Sequence, residues 1–523
     1  MPVSAMDLIY NHEDAERTNS FLQRIALAME KQAGEATLST LEQEIATAFD
    51  LARDGKVYRT RFYFFSTNTS SAGTKMDDNE GMAIPTPATD KSAGNDPYLD
   101  REVFKWFRCN YTRDEDGTAR VTNLKGRPGY REAGAYDVGT LAMTFYWNVS
   151  VKDQYYDVIL SDSPHPELGL VPWVDAVKAD GTILPYYIES TYNSVTASDG
   201  LLRSQPGAAP AYNQNYNNMI TNYQKKGAGY WGAGTSRDTL QIIWLAIKYA
   251  TKNSQKYFTG TTYYNSLSNC AVAENGVKRV LLSSQGAFVE GGCVSVGVKD
   301  GTNSDRDLAK LHSIADRKKI KSIETVSVGE KSYVALNLDV DTAFDTTTDS
   351  IVSTMPQWTG WTDDVIGMAD GSPVSNTDGK HPYRIHGIEY ATGIAMIYSD
   401  TVMEFNADYS RSVYVAPKGV THVQSAHTGY KLIGTIPAKD EANSDTWSGD
   451  LGFDTENGAH FPVTLGSGEA VGVGDRIWAG GKSTGLREYY TCGDLMYGAH
   501  AGAGCVNCWG GLGLASWSYG SAD

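Results

Sequence analysis

The hydrophobic pattern near the start of the chain is helical. In "STLEQEIATAFDLARDG" (39–55), apolar residues recur every three to four positions, and a serine stands three residues before a glutamate as in a capping box. Gly55 follows as a C-terminal cap. The stretch "EDAERTNSFLQRIALAMEKQAG" (13–34) has the same periodicity. We therefore predict two short amphipathic N-terminal helices, whose apolar stripes suit packing against copies of themselves or against a partner.

From Val57 onward the hydrophobic period changes to two. Runs such as "VYRTRFYFFS" and "LAMTFYWNVSV" (141–151) are rich in β-branched and aromatic residues, and turn-forming clusters separate them. One long helix is predicted at about 235–253, "TSRDTLQIIWLAIKYATKN". The preceding "KKGAGYWGAG" lacks the Gly-Lys-Ser/Thr ending of a phosphate loop, so we interpret it as a close-packed turn.

The composition changes near residue 350. Six of the eleven tryptophans lie beyond that point: Trp358, Trp361, Trp447, Trp478, Trp509 and Trp517. A chain of 523 residues exceeds the size of one core. We predict a multidomain α+β protein with an N-terminal helical attachment unit (1–57), a β-rich middle region (58–350) and a C-terminal domain (351–523).

Charge and hydropathy exclude several classes of function. The chain has 45 basic and 62 acidic residues and a formal charge of −17, which disfavours binding to nucleic acid or to anionic lipid. No run approaches about eighteen apolar residues, so no membrane insertion is predicted. The opening "MPVSAMDLIYNHEDAERTNSF" has acidic residues where a signal peptide would be basic. We therefore expect assembly in a cytoplasm.

Two groups of residues suggest metal binding. The quartet Cys492, His500, Cys505 and Cys508 contains the ligand types of tetrahedral zinc, although its spacing matches no zinc module. Aspartates cluster in two turn-like stretches, where they could supply oxygen ligands for calcium: Asp300, Asp305 and Asp307, and Asp339, Asp341, Asp345 and Asp349. Neither stretch has the EF-hand pattern. We expect no cofactor and keep zinc and calcium as alternatives.

Catalytic motifs are absent from the sequence. Asp363, Asp364 and Glu389 are the residue types of glycosidase acids, but their separation is a matter of the fold. The sequence contains no nucleophile elbow and no metalloprotease pattern. We therefore predict no catalytic residues, with a glycoside hydrolase as the enzymatic alternative.

Three stretches carry a resemblance to a known family. They are "GWTDDVIGMADGSPVSNTDGKHPYRIHGIEYATG" (360–393), "GVGDRIWAGGKSTGLREYY" (472–490) and "CGDLMYGAHAGAGCVNCWGGLGLASWSYGSAD" (492–523). They resemble the C-terminal domain of phage tail and prophage proteins diversified by diversity-generating retroelements. That domain has a C-type lectin fold of the formylglycine-generating-enzyme type. In this comparison "HPYRIHGIE", "DRIWAGG" and "ASWSY" match core strands of the fold.

The resemblance implies a virion protein of a phage tail that binds a protein or glycan on the bacterial surface. Its variable region would span about 488–523, where glycine, tyrosine, serine and tryptophan are typical of adaptable binding surfaces. The residues expected to face outward are Tyr490, Thr491, Asp494, Tyr497, His500, Asn507, Trp509, Ser516, Ser518 and Tyr519. Those expected to anchor the segment in the core are Leu495, Leu512, Leu514 and Trp517.

The same resemblance implies the other partners. The N-terminal region would attach to other virion proteins, and a homo-oligomer, most plausibly a trimer, would present several copies of the binding domain. Two alternative functions stay open at this point. One is a tail enzyme that cleaves surface glycans, and the other is a structural collar or head-decoration protein that binds no cell.

Overall fold

The computed structural model describes residues 41–259, 264–298, 309–375, 378–440, 444–481, 483–491, 493, 495, 497 and 500–523. These residues form three α-helices, α1 (Leu41–Ala52), α2 (Tyr216–Gln224) and α3 (Ser236–Tyr249). The predicted helices at 39–55 and 235–253 are confirmed as α1 and α3. The predicted helix at 13–34 lies outside the described residues. Short 3-10 turns occur at Pro97–Asp100, Glu102–Phe104, Pro166–Leu168, Val174–Ala176, Ser254–Lys256, Ala309–His312 and Trp361–Asp364.

The first part of the chain forms two antiparallel sheets and one strand pair. The sheets have the orders β2-β1-β7-β6-β8 and β4-β3-β5-β9, and β10 pairs with β11. The strands are β1 (Val57–Tyr63), β2 (Thr74–Asp77), β3 (Trp106–Arg113), β4 (Ala119–Leu124), β5 (Asp137–Met143), β6 (Tyr146–Val151), β7 (Tyr155–Ser161), β8 (Val171–Pro172), β9 (Tyr186–Ser190), β10 (Ser194–Thr196) and β11 (Leu202–Ser204).

The next part has a sheet and a core of its own. Its six-stranded sheet has the order β12-β19-β15-β16-β17-β14, and β13 pairs with β18. The strands are β12 (Leu267–Asn269), β13 (Glu274–Val277), β14 (Arg279–Leu282), β15 (Cys293–Val298), β16 (Ala315–Val328), β17 (Lys331–Leu338), β18 (Phe344–Thr346) and β19 (Ser350–Met355). Buried valine, leucine and isoleucine side chains, among them Val280, Val294 and Leu336, form its core.

The last part is built on a nine-stranded sheet. Its order is β24-β23-β22-β28-β29-β27-β25-β26, with β30 parallel to β22, while β20 and β21 form a separate hairpin. The strands are β20 (Tyr383–Ile385), β21 (Ile388–Tyr390), β22 (Ala395–Phe405), β23 (Arg411–Val415), β24 (Lys431–Ile436), β25 (Thr446–Asp454), β26 (Ala459–Leu465), β27 (Arg476–Trp478), β28 (Gly485–Thr491), β29 (Val506–Asn507) and β30 (Tyr519–Gly520).

This sheet curls so far that its two edges approach each other. Gly434 on β24 lies against the ring of Phe461 on β26, and a Cβ at Gly434 would be 2.0 Å from that ring. The result is a nearly closed barrel, in which the interior strands have neighbours on both sides.

The largest hydrophobic cluster draws on distant parts of the chain. Ile45 of α1, Trp147, Trp244 of α3, Tyr383 and Ala503 all belong to it. Helix α1, assigned by the sequence to an N-terminal attachment unit, therefore packs into the same core as the middle region. The boundaries at 57 and 350 stay predictions. Strands are many and helices few, in agreement with the coarse α+β prediction, and no helix among the described residues is long and apolar enough to cross a membrane.

Candidate functional site

Four aromatic side chains form a partly exposed group on the nine-stranded sheet, which we name the aromatic patch. Trp447 comes from β25, Trp478 from β27, and Tyr497 and His500 from the segment after β28. The ring centroids of Trp478 and Tyr497 are 4.1 Å apart, those of Trp447 and His500 5.1 Å, and those of Trp478 and His500 6.2 Å. The four rings thus make one aromatic surface from three separate segments.

Arg476 gives the aromatic patch a polar edge. Its guanidinium lies 5.1 Å from the ring centroid of Trp478, it pairs with Asp445 at 3.3 Å, and it donates to Nδ1 of His500 at 3.3 Å. Partial burial, and then the charge of Arg476, lower the pKa of His500. The imidazole is therefore held neutral, with Nδ1 as an acceptor.

Trp509 is the most exposed aromatic side chain of the C-terminal segment, with 60% of its surface accessible. It follows β29, which pairs with β27 so that Asn507 lies beside Trp478. Its backbone N–H donates to Oδ1 of Asn507 at 2.8 Å. Gly480, with φ +78°, lets the two segments approach, because a Cβ there would be 3.2 Å from Cα of Trp509. The exposed indole is thereby fixed next to the strand that carries Trp478.

Half of the residues expected to face outward are buried, which corrects the sequence prediction. Tyr490 and Thr491 lie on β28, an interior strand between β22 and β29, and Asn507 lies on β29 itself. Tyr519 lies on β30 and Ser518 directly precedes it, where both pack against β22. Five side chains are therefore 6% exposed or less: Tyr490, Thr491, Asn507, Ser518 and Tyr519.

The buried tyrosines stiffen the sheet that carries the aromatic patch. The hydroxyls of Tyr490 and Tyr519 are 2.9 Å apart, and the hydroxyl of Thr491 is 3.0 Å from that of Tyr398. Burial raises the pKa of Tyr490 well above its usual range, so the hydroxyl stays neutral. These side chains hold the frame and do not reach solvent.

The remaining predicted residues divide as follows. Tyr497, His500 and Ser516 are partly exposed, Trp509 is exposed, and Asp494 lies outside the described residues. The predicted burial of Leu495, Leu512 and Trp517 is confirmed, and Leu514 is partly buried against the core. The sequence reading did not single out Trp447, Arg476 or Trp478. The enrichment of tryptophan beyond residue 350 could have pointed to Trp447 and Trp478 as site residues.

The zinc quartet does not assemble as a set of thiolate ligands. Cys505 takes part in a disulfide, and a disulfide sulfur is not a thiolate ligand. Cys508 is a buried free thiol whose pKa is raised by burial, and Cys492 lies outside the described residues. Within the described part of the chain no group of three or more His, Cys, Asp or Glu side chains could hold a metal. The carboxylates of Asp339, Asp341, Asp345 and Asp349 are on exposed residues, while Asp300, Asp305 and Asp307 lie outside the described ranges.

The carboxylates considered for glycosidase chemistry are held in structural roles. Glu389 is fully buried and accepts hydrogen bonds from the backbone N–H of Gly360 at 3.0 Å and from the N–H and hydroxyl of Thr362 at 2.9 Å. Burial raises its pKa to about 7. Asp363 accepts from the hydroxyl of Tyr192 at 2.5 Å and pairs with Arg108 at 3.4 Å. The partners named here for both groups come from the protein itself.

Comparison with known proteins gives no family assignment, because no protein-family model and no curated protein matches the chain.

Proposed function

We propose that this chain is a receptor-binding protein of a phage virion, and that it binds a protein or glycan on the bacterial surface through the aromatic patch and Trp509. The observation that carries the proposal is the group of partly exposed rings on one sheet, with Trp509 beside them. Aromatic side chains supply large contact areas at a low cost in conformational entropy, which makes them frequent in binding surfaces.

The scaffold beneath the aromatic patch supports a binding role. Binding surfaces are most effective when a rigid element holds them in place before the ligand arrives. Here Trp478 lies on β27, whose neighbours β25 and β29 pair with it on both sides. Little ordering of the sheet would then be needed on binding, so more of the contact energy would appear as affinity.

The resemblance to retroelement-diversified tail proteins supports the phage assignment and the C-type lectin fold of residues 351–523. Strands occur at all three stretches that carry it. They are β20 and β21 at "HPYRIHGIE", β27 in "DRIWAGG", and β30, which begins at the last residue of "ASWSY". The proposal narrows the diversified positions to those with solvent access, because a buried position tolerates few substitutions. Tyr497, His500, Trp509 and Ser516 meet that condition.

Attachment and assembly complete the proposal. The N-terminal region would join other virion proteins, and a trimer would present three copies of the aromatic patch. Several weak contacts on one particle raise the apparent affinity without any new contact in each copy.

A cell-binding assay with the full-length protein tests the function. Fluorescently labelled protein is incubated with a panel of bacterial strains, and we expect saturable binding to at least one strain. Trp478→Ala and Trp509→Ala should each lower that binding about tenfold or more, the usual effect of removing an aromatic hot spot. The matched control is Leu432→Ala, which removes a 52% exposed apolar side chain from edge strand β24.

Two outcomes would overturn the proposal. One is the absence of binding to every strain of a broad panel, and the other is undiminished binding by both tryptophan variants. Diversification has a separate test in the neighbouring DNA, where we expect a reverse transcriptase gene and a near-copy of the 3′ end of this gene that differs mainly at adenines.

A further inference from the structure

A second site lies away from the aromatic patch, in a polar cavity of about 90 Å³. Its wall is made by the β3–β4 turn, β9, the glycine-rich loop before α3, the middle of β22 and the segment after β23. That loop is the "KKGAGYWGAG" stretch, which the sequence suggested to be a close-packed turn. The cavity therefore brings together groups that are far apart in the chain.

Most carboxylates of this wall already have donors within the protein. Asp400 accepts from the backbone N–H of Thr235 at 2.9 Å, at the start of α3. Asp116 accepts from the N–H groups of Thr118 and Ala179. The side chain of Asp523 pairs with Arg113 and Lys226. These three groups need nothing from a ligand, and Asp400 already occupies the place that an anion would take at the helix N-terminus.

Asp175 and Glu189 differ from the other carboxylates. Glu189 is only 5% exposed, and the two carboxyl groups contact each other. Among the described residues neither receives a hydrogen bond from an N–H donor, and Oδ2 of Asp175 is buried with no partner at all. Burial, and then the neighbouring Asp175, raise the pKa of Glu189 well above its usual range, so Glu189 keeps its proton near neutral pH. The oxygen atoms of the two groups are acceptors without N–H donors in the described part of the protein, and a ligand can supply such donors.

Two other groups of the wall offer donors. Lys418 lines the cavity and makes no hydrogen bond or ion pair with the described residues. Burial lowers its pKa, and the nearby charge of Asp175 acts in the opposite direction. The indole N–H of Trp231, which is 8% exposed, also has no partner in the described part of the chain. His422 stacks on Trp231 with ring centroids 4.6 Å apart, and burial lowers its pKa to about 3, so the two stacked rings are flat and uncharged.

We propose that this cavity binds a small α-amino acid, with its ammonium group on the Asp175–Glu189 pair and its carboxylate on Lys418 and the indole N–H of Trp231. An ammonium group brings three N–H donors to two carboxyls that receive none from the described residues, and a carboxylate brings acceptors to the lysine and the indole. The volume admits roughly six to nine water-sized groups. Glycine, alanine and serine have that size, whereas a whole hexosamine ring does not.

Isothermal titration calorimetry of the full-length protein tests the inference. Glycine, both enantiomers of alanine, and serine are titrated, with acetate and ethylamine as probes that carry only one of the two charged groups. We expect at least one amino acid to bind at one site per chain. Acetate and ethylamine should bind at least about tenfold more weakly, because each lacks one of the two charged groups and its hydrogen bonds.

Matched variants locate the site. Glu189→Gln and Lys418→Met should each weaken amino-acid binding about tenfold or more, while Lys431→Met, which removes an exposed lysine paired with Glu456, should leave it unchanged. An unfolding temperature measured for each variant separates a lost contact from a lost fold. The inference is overturned if no amino acid binds at about 10 mM, a concentration at which even millimolar affinity is detected. It is also overturned if the folded variants Glu189→Gln and Lys418→Met both bind the amino acid as well as the parent protein does. Calorimetry with amino acids does not involve bacterial cells. Neither result therefore bears on cell binding by the aromatic patch, which the cell-binding assay tests separately.

Discussion

At the residue scale, aromatic side chains of similar sequence context have opposite roles. Trp509 is 60% exposed beside the aromatic patch, whereas Tyr490 is fully buried with its hydroxyl against that of Tyr519. Both lie in the glycine-rich stretch for which the sequence predicted a display surface. The difference between them should be visible when stability and binding are measured separately.

Replacing Trp509 by alanine should lower cell binding about tenfold or more and leave the fold intact. An exposed side chain makes few contacts that unfolding would break, so the free energy of unfolding should change by less than about 0.5 kcal/mol. Urea denaturation checks the stability and the labelled-protein assay checks the binding. A large loss of stability would instead identify Trp509 as a packing residue.

Replacing Tyr490 by phenylalanine should have the reverse effect. The change keeps the ring but removes one partner of a buried hydrogen bond, which should lower the free energy of unfolding by about 1 kcal/mol. Cell binding should stay at the level of the parent protein, because the side chain does not reach the surface. If Tyr490→Phe were fully stable but failed to bind cells, the sequence prediction of an outward-facing tyrosine would be right after all.

Sequence reasoning could recognise this segment as aromatic and glycine-rich, but it could not decide which rings are exposed. The exposure of Tyr490 depends on the position of β28 between β22 and β29, and β22 lies far from β28 in the chain. Burial of Trp517 was predictable because local alternation with its serine neighbours carries the information. The contact between the side chains of Asp175 and Glu189 had no local signal.

At the element scale, periodicity identified α1 but not the core into which it packs. Ile45 and Phe49 are fully buried, and the ring of Phe49 lies 6.3 Å from that of Phe107 on β3. Helix α2 was missed, since "YNNMITNYQ" is short and polar and its capping box uses Asn215 and Asn218 in place of the usual serine and glutamate.

Truncating Phe49 to alanine should show that α1 belongs to the central core. Loss of a buried phenylalanine costs about 3–5 kcal/mol in the free energy of unfolding. Leu51→Ala, at a 63% exposed position of the same helix, is the control and should cost less than about 0.5 kcal/mol. Equally small effects of both changes in chemical denaturation would mean that α1 contributes little to the core.

The contact between the two edges of the nine-stranded sheet should be sensitive to added volume. Gly434→Ala would place a methyl group 2.0 Å from the Phe461 ring, and the resulting overpacking should cost about 1–3 kcal/mol. Gly468→Ala is the control, because the nearest atom to its added Cβ is 3.8 Å away. Comparison of the two unfolding midpoints checks this. Equal midpoints would show that β24 and β26 can separate without loss.

At the scale of the whole molecule, the chain buries acidic groups that are protonated near neutral pH. Burial raises the pKa of Asp238 and of Glu488 to about 8 and that of Asp475 to about 7. In an unfolded chain the same groups titrate near pH 4. The folded protein therefore binds more protons than the unfolded chain in this range, and the stability that these groups contribute is lost as pH rises through their folded-state pKa values.

We expect the unfolding temperature to fall between about pH 6.5 and about pH 8. Other groups act with the opposite sign outside this window. Burial lowers the pKa of Lys75 to about 8, which adds stability above that pH. Burial also lowers the pKa of His386, His422 and His460 to about 3, which removes stability below about pH 6.5.

Glu488→Gln isolates one contribution within this window. Glutamine keeps an acceptor for the backbone N–H of Tyr216, which donates to Glu488 at 3.1 Å, but it does not titrate. Differential scanning calorimetry of both proteins across the window should give a shallower fall for the variant, since one group that must release its proton has been removed. Identical slopes would mean that Glu488 already ionises at its ordinary pKa in the folded chain, and therefore that water reaches the side of β28 that faces α2.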